Sequence, residues 1–212
     1  VTPFHRRPEP DFWGSYERRW LYETTGESVD PLRWRHLGSS LAEIFHARVR
    51  PEGEPRRCAY CDGRLGVESP ETIDHFISKK RWGRTFTMAW DNLYPACTHC
   101  NSTYKRERGS CLLVRPDVDP VDAWFDFHAE TGRLAPAPEL DRRTRWRVWK
   151  TIRVLGLNTT ERCELRRKLL RDLDRANRIG DNEYLVEAAK RGPYRFVARK
   201  FLAGKKSFGP LV

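Results

Sequence analysis

Hydrophobic positions along the chain fall into two helical stretches separated by a middle stretch with almost no period. After a Pro-rich extended arm, a first helix is expected over about residues 12–24 and a second over 31–49, where Leu37, Leu41, Ile44 and Phe45 recur at helical spacing before PEGEPRR ends it. Trp13, Trp20 and Trp34 read as packing residues of these helices. Helical pattern returns at about Arg142. Trp146, Trp149, Ile152 and Leu155 recur at three-residue steps and predict a buried stripe, with Gly156 where the helix should stop. A longer helix follows, capped by Asn158 or Thr159 and burying Leu165, Leu169, Leu170, Leu173 and Ala176. The basic residues interleaved with these leucines from Arg162 to Arg178 read as its charged outer face. GDNEYLVEAAKRG and a basic tail complete a mostly helical third part. Before these helices, LLVRPDVDPVDAWFDFHAETGRLAPAP alternates and carries turn residues, which predicts a strand or hairpin turning at ETG.

The changes of pattern divide the chain into an N-terminal arm with helices (1–55), a middle region dense in Cys, His, Asn and Gly (56–115), and a hairpin with a helical C-terminal region (116–212). Chemistry is expected in the middle region.

Charge narrows the partners. Lys and Arg number 40 against 29 Asp and Glu, a net charge of +11 that favours a polyanion because neutralised phosphates release counterions. Nucleic acid is the expected partner, although many basic proteins are merely soluble. No run approaches the roughly 18 apolar residues of a membrane span, and the first residues lack a signal-like apolar stretch. No membrane association and a cytoplasmic location are expected.

Six cysteines are too few for a disulfide scaffold, and four of them form two C-x-x-C pairs, Cys58 with Cys61 and Cys97 with Cys100. Each pair makes a tight knuckle with both thiolates on one side, and two facing knuckles give the four-sulfur tetrahedron that zinc prefers. All four positions are then filled, so the zinc is structural. A redox C-x-x-C is the competing reading, weakened by the second pair. His99 could exchange for one ligand, and Cys111 and Cys163 read as ordinary buried thiols.

Between the knuckles lie ETIDHF and then WDNLYPACTHCN. A lone His is more often a satisfied core or surface residue than a catalyst, but Asp74 and His75 are adjacent, and only at a strand end can two neighbours serve one site. Asn101 follows the last Cys where a helix should begin, so it reads as a cap, a ligand or both.

Together, ETIDHFISKK, WDNL and CTHCN resemble the HNH endonucleases over about residues 56–110. The resemblance implies an α+β, mostly helical fold with a central ββα-metal core and a structural four-cysteine zinc site, flanked by N- and C-terminal helices. His75 matches the first His of the motif, Asn92 its central Asn and Asn101 its third position. It implies His75 as general base, Asp74 and Asn101 as oxygen ligands of a catalytic Mg²⁺ or Mn²⁺, and Asn92 orienting the loop that carries His75. Relatives often have Lys three residues after the last Asn; here Tyr104 stands there and Lys105 follows, which puts the phosphate contact of that Lys in question. Lys79, Lys80, Arg81, Arg84, Lys105, Arg106 and Arg108 flank the centre and could grip phosphates, or form a solvated face.

More widely, HRRPEPDFW, IDHF, the two knuckles, the later DPVDAWFDF with GRL, and LGLN resemble the PtuB family of nuclease subunits in Septu anti-phage systems. That resemblance implies a PtuA-like ATPase partner, of ABC/SMC type, in a hetero-oligomer. The alternatives are a stand-alone restriction or homing-type HNH nuclease, or a non-catalytic zinc-dependent nucleic-acid-binding module.

Overall fold

A computed structural model describes residues 3–15, 45–78 and 88–204. Most of the two N-terminal helices with Trp20, Trp34, Leu37, Leu41 and Ile44, the cluster Lys79, Lys80, Arg81 and Arg84, and the tail from 205 lie outside the described residues.

Among the described residues the chain is α+β and mostly helical. Strand β1 (Glu71–His75) pairs antiparallel with β2 (Leu93–Cys97), in register from Glu71 opposite Cys97 to His75 opposite Leu93. A 3-10 turn (Trp90–Asn92) leads into β2 and a π-helix (His99–Lys105) leaves it. A short α1 (Val121–Trp124) precedes a second hairpin, β3 (Phe125–His128) with β4 (Arg133–Pro136), whose turn contains ETG as expected. Four helices follow: α2 (Arg142–Val154), α3 (Thr160–Ile179), α4 (Asn182–Lys190) and α5 (Arg195–Ala203). No described helix is long and apolar enough to cross a membrane.

Local chemistry sets the helix ends. Asp141 caps α2 by accepting from the N–H groups of Arg143 and Thr144. Thr159, not Asn158, takes the N-cap position of α3, and it does so without a side-chain capping bond. The Asn158 amide accepts from Leu134 N at 2.8 Å and donates to Leu134 O at 2.9 Å, tying the helix junction to β4.

Two expectations for the helical faces are corrected. Trp146 and Trp149 are each 49% exposed, and α2 buries Val148, Thr151, Ile152 and Val154 instead. A three-residue step drifts about 60° around an α-helix, so a stripe built on such steps leaves the core after two of them. On α3, Leu169, Leu170, Leu173 and Ala176 are buried as expected, but Leu165 is exposed while Arg162 and Arg166 are buried. Their guanidinium groups are satisfied internally; Arg166 donates to the carbonyls of Gly132 and Leu157.

One apolar core runs from Cys58, Tyr60 and Tyr94 through Leu113 and Val148 into α3 and α5, where Leu173 and Phe196 lie. A second, smaller core of Trp13, Phe45, Val49, Met88, Trp90 and Leu93 packs under the turn into β2. Trp13 is thus the packing residue expected: its ring meets Trp90 edge-on at 4.8 Å and its N–H donates to Met88 O.

Candidate metal cage and active site

The hairpin β1–β2 carries a different kind of site at each end. At the Glu71–Cys97 end, the backbone turns tightly through the first knuckle: Asp62 N donates to Cys58 O, and Asp62 adopts the left-handed region at φ 63°. Cys97 closes β2 and Cys100 lies in the first turn of the π-helix, with the Cys100 N–H directed at Cys97 Sγ at 3.4 Å. The four sulfurs lie within 4.8 Å of one another, and all four residues are buried. A tetrahedron with Zn–S bonds of about 2.3 Å needs sulfurs roughly 3.8 Å apart; Cys61 and Cys97 stand at 3.8 Å. The donor set and spacing fit zinc. His99 takes no part, stacking instead on Tyr104 at 4.9 Å. Cys163 is buried as expected, whereas Cys111 is exposed.

Cage electrostatics split the four thiols into two pairs. Burial pushes the Cys58 and Cys100 thiols up, while hydrogen bonds from the other sulfurs draw Cys61 and Cys97 down. Arg162 closes the cage from α3, with Nη2 3.2 Å from Cys100 Sγ and 3.6 Å from Cys97 Sγ and Nη1 on the carbonyls of Leu155 and Gly156. Burial disfavours its charge, but the neighbouring sulfurs hold its pKa above the ordinary guanidinium value.

At the other end, His75 closes β1 and is buried. Asn92 clasps the loop beyond it: Oδ1 accepts from Ile77 N at 2.8 Å, Nδ2 donates to Ile77 O at 3.3 Å, and the Asn92 carbonyl accepts from Phe76 N. These bonds are what an orienting role for Asn92 requires. Ser78 donates to Glu107, joining the same loop to the chain after the π-helix. Gly109 allows the close approach there, since a Cβ would stand 2.2 Å from Phe76 O.

The π-helix resolves the displaced lysine. Its i→i+5 bonding, seen in Arg106 N donating to Asn101 O at 2.7 Å, spends one more residue per turn than an α-helix. The fourth residue after Asn101 therefore reaches nearly the bearing that the third would have in an α-helix. Lys105 is only 1% exposed, with Nζ 2.9 Å from Asp74 Oδ1 and 2.5 Å from His75 O. It holds β1 and cannot grip a phosphate.

Asp74 lies against it. Its carboxylate is buried, one oxygen on Lys105 and the other accepting from the Tyr60 hydroxyl. Burial raises its pKa, against the opposing pull of Lys105 and Tyr60. The Asn101 amide donates to Thr72 Oγ1 at 3.2 Å and Ile73 O at 3.4 Å, beneath the same π-helix. Both Asp74 oxygens are thus engaged and its charge is answered by an ammonium, while the bonds of Asn101 are made by its amide nitrogen.

Residues 58–107 match the family described as HNH endonuclease. The chain carries an HNH endonuclease domain. The match begins at the first cage cysteine and ends two residues past Lys105, so it encloses both ends of the hairpin. An HNH domain implies nuclease activity and a nucleic-acid substrate, and such domains typically use a divalent metal. The chain is also similar to Septu protein PtuB of Bacillus mycoides (strain KBAB4), 27% identical over 148 residues that cover 56% of this chain and 48% of that protein. The chain thus spans about half the length of that curated relative.

Tyr60, Arg162 and the structural role of Lys105 were missed in the sequence. Tyr60 sits inside a C-x-x-C pair, where a bulky ring is a faint sign that the knuckle faces a core. Arg162 and Lys105 are indistinguishable in sequence from the many cations around them.

Proposed function

We propose that the HNH domain hydrolyses phosphodiester bonds in DNA, with His75 as general base. The observation that carries this reading is the placement of His75 at the end of β1, on a loop clasped by Asn92, within the HNH match. An imidazole with a pKa near operating pH can take the proton from a water that attacks phosphorus; the P–O bond to the 3′ oxygen then breaks. The four-cysteine cage holds structural zinc and fixes the hairpin, so its ion does no chemistry. A catalytic Mg²⁺ or Mn²⁺ would neutralise charge on the phosphate, held by Asp74 and Asn101, with Asp74 giving up Lys105 or Tyr60 to reach it.

The likeness to Septu protein PtuB supports a further step: this chain is the nuclease effector of an anti-phage complex and works with an ABC/SMC-like, PtuA-type ATPase. Incubation of zinc-loaded protein with plasmid, with Mg²⁺, with Mn²⁺ and with EDTA, tests the chemistry alongside His75→Ala. Cleavage by the parent and a loss of roughly 10²–10⁴-fold in the variant are expected; undiminished cutting by His75→Ala overturns the assignment. Co-expression with a PtuA-type ATPase and recovery of a stable complex tests the partner.

A further inference from the structure

Trp146 and Trp149, expected in the core, instead stand half exposed on α2, one helical turn apart. They line a groove of about 800 Å³ whose far wall is Tyr104 of the π-helix. Arg108, Arg133 and Arg153 are exposed at its edges, and Lys150 holds its ammonium 4.5 Å from the Trp146 ring centroid. No carboxylate lines the groove among the described residues. The arrangement is built: the Tyr104 ring packs so closely on Gly156 that a Cβ there would stand 2.4 Å from it, and Gly156 adopts φ +57°.

We propose that this groove binds an unpaired DNA strand, stacking bases on Trp146 and Trp149 and placing phosphates against the arginines. Two features select that occupant. Large aromatic faces beside an uninterrupted set of cations are what a single strand needs, because every base has a face to stack and every linkage a charge to neutralise. A duplex keeps its bases stacked on each other and would use the arginines without the rings. The groove also starts on the HNH domain itself, since Tyr104 directly precedes Lys105, the residue that holds the His75 carbonyl. The inference rests on the proposed function in taking DNA as the strand, and it sharpens the substrate to DNA with an unpaired stretch.

Fluorescence anisotropy of the full chain with a labelled single-stranded DNA oligonucleotide, the matching duplex and an RNA of the same sequence tests this, using Trp146→Ala/Trp149→Ala beside the parent. The double tryptophan variant is expected to lose roughly tenfold or more in affinity for the single strand, with duplex affinity changed far less. Zinc content and circular dichroism of the double variant should match the parent. Unchanged single-strand affinity, an equal loss on the duplex, or preference for the RNA overturns the inference. So does a variant that keeps DNA affinity but no longer co-purifies with a protein expressed beside it, which would make this face a protein interface. The two readings fail separately: tryptophan-dependent binding without cleavage sinks the nuclease reading alone, and cleavage with tryptophan-independent binding sinks this one alone.

Discussion

The β1–β2 hairpin is only five residue pairs long, yet its two ends are held by different physics. At the Cys97 end, four identical soft donors converge on one point, and the geometry is dictated by what a single ion wants. At the His75 end no single centre exists among the described residues; the loop is held by an amide clasp from Asn92, a buried ion pair from Lys105 and a hydroxyl contact from Ser78. A metal cage tolerates little variation and announces itself by spacing. A distributed set of hydrogen bonds can be met by many residue types, so it holds the His75 loop without the fixed spacing that a cage displays.

Removing the cage ion should give the largest effect, because a site that exists only in the folded chain returns its binding energy as folding energy. Cys58→Ser, or chelation of zinc, should abolish the cooperative unfolding transition followed by circular dichroism, whereas Cys111→Ser should leave it intact. A cooperative transition persisting without zinc would mean that the apolar core alone holds the hairpin. Next comes Lys105→Met. It strands the Asp74 carboxylate in the interior and should cost about 3–5 kcal/mol of unfolding free energy in a denaturant titration, largely recovered in Lys105→Met/Asp74→Asn. Mn²⁺ stabilising the single variant more than the parent would show that a dication can take the place of the ammonium, and would return Asp74 to the metal.

This contrast explains what could be read in advance. The four cage cysteines, the hairpin at ETG, the buried Leu169, Leu170 and Leu173 of α3 and the clasp by Asn92 all follow from spacing, from periodic pattern or from the motif. Lys105 does not, because its position depends on the π-helical winding, which adds a residue without changing the local pattern of polar and apolar side chains. Arg162 and Arg166 escaped for a related reason: burial of a cation depends on carbonyls and sulfurs that arrive from other segments. Trp146 and Trp149 misled in the opposite sense, since aromatics at near-helical steps resemble a core stripe whether or not a core meets them.

Asn92→Ala should have a smaller effect, confined to the His75 end. Two bonds to Ile77 are lost, a cost of about 1–3 kcal/mol. Hydrogen exchange at the Ile77 amide should quicken and cleavage should fall, with zinc content unchanged. Loss of zinc in this variant would couple the two ends and break the comparison.

Glu71→Gln should be the mildest change, within about 1 kcal/mol, and it probes the cage end without touching a ligand. Glu71 faces Cys97 across the hairpin and lies 2.9 Å from His46 Nδ1, 3.0 Å from Arg56 Nη1 and 3.7 Å from Arg50 Nη2. Burial alone would raise its pKa, but His46 and the two arginines carry it below the ordinary carboxylate value. The folded pKa is therefore lower than the unfolded one, so the stability Glu71 contributes is present above about pH 4.3 and is lost as pH falls through the folded value. Urea midpoints of the two proteins should differ near neutrality and converge in acid, where zinc release affects both alike. A gap that stays constant with pH would assign Glu71 a packing role only, leaving the cage end to the metal and the core beneath it.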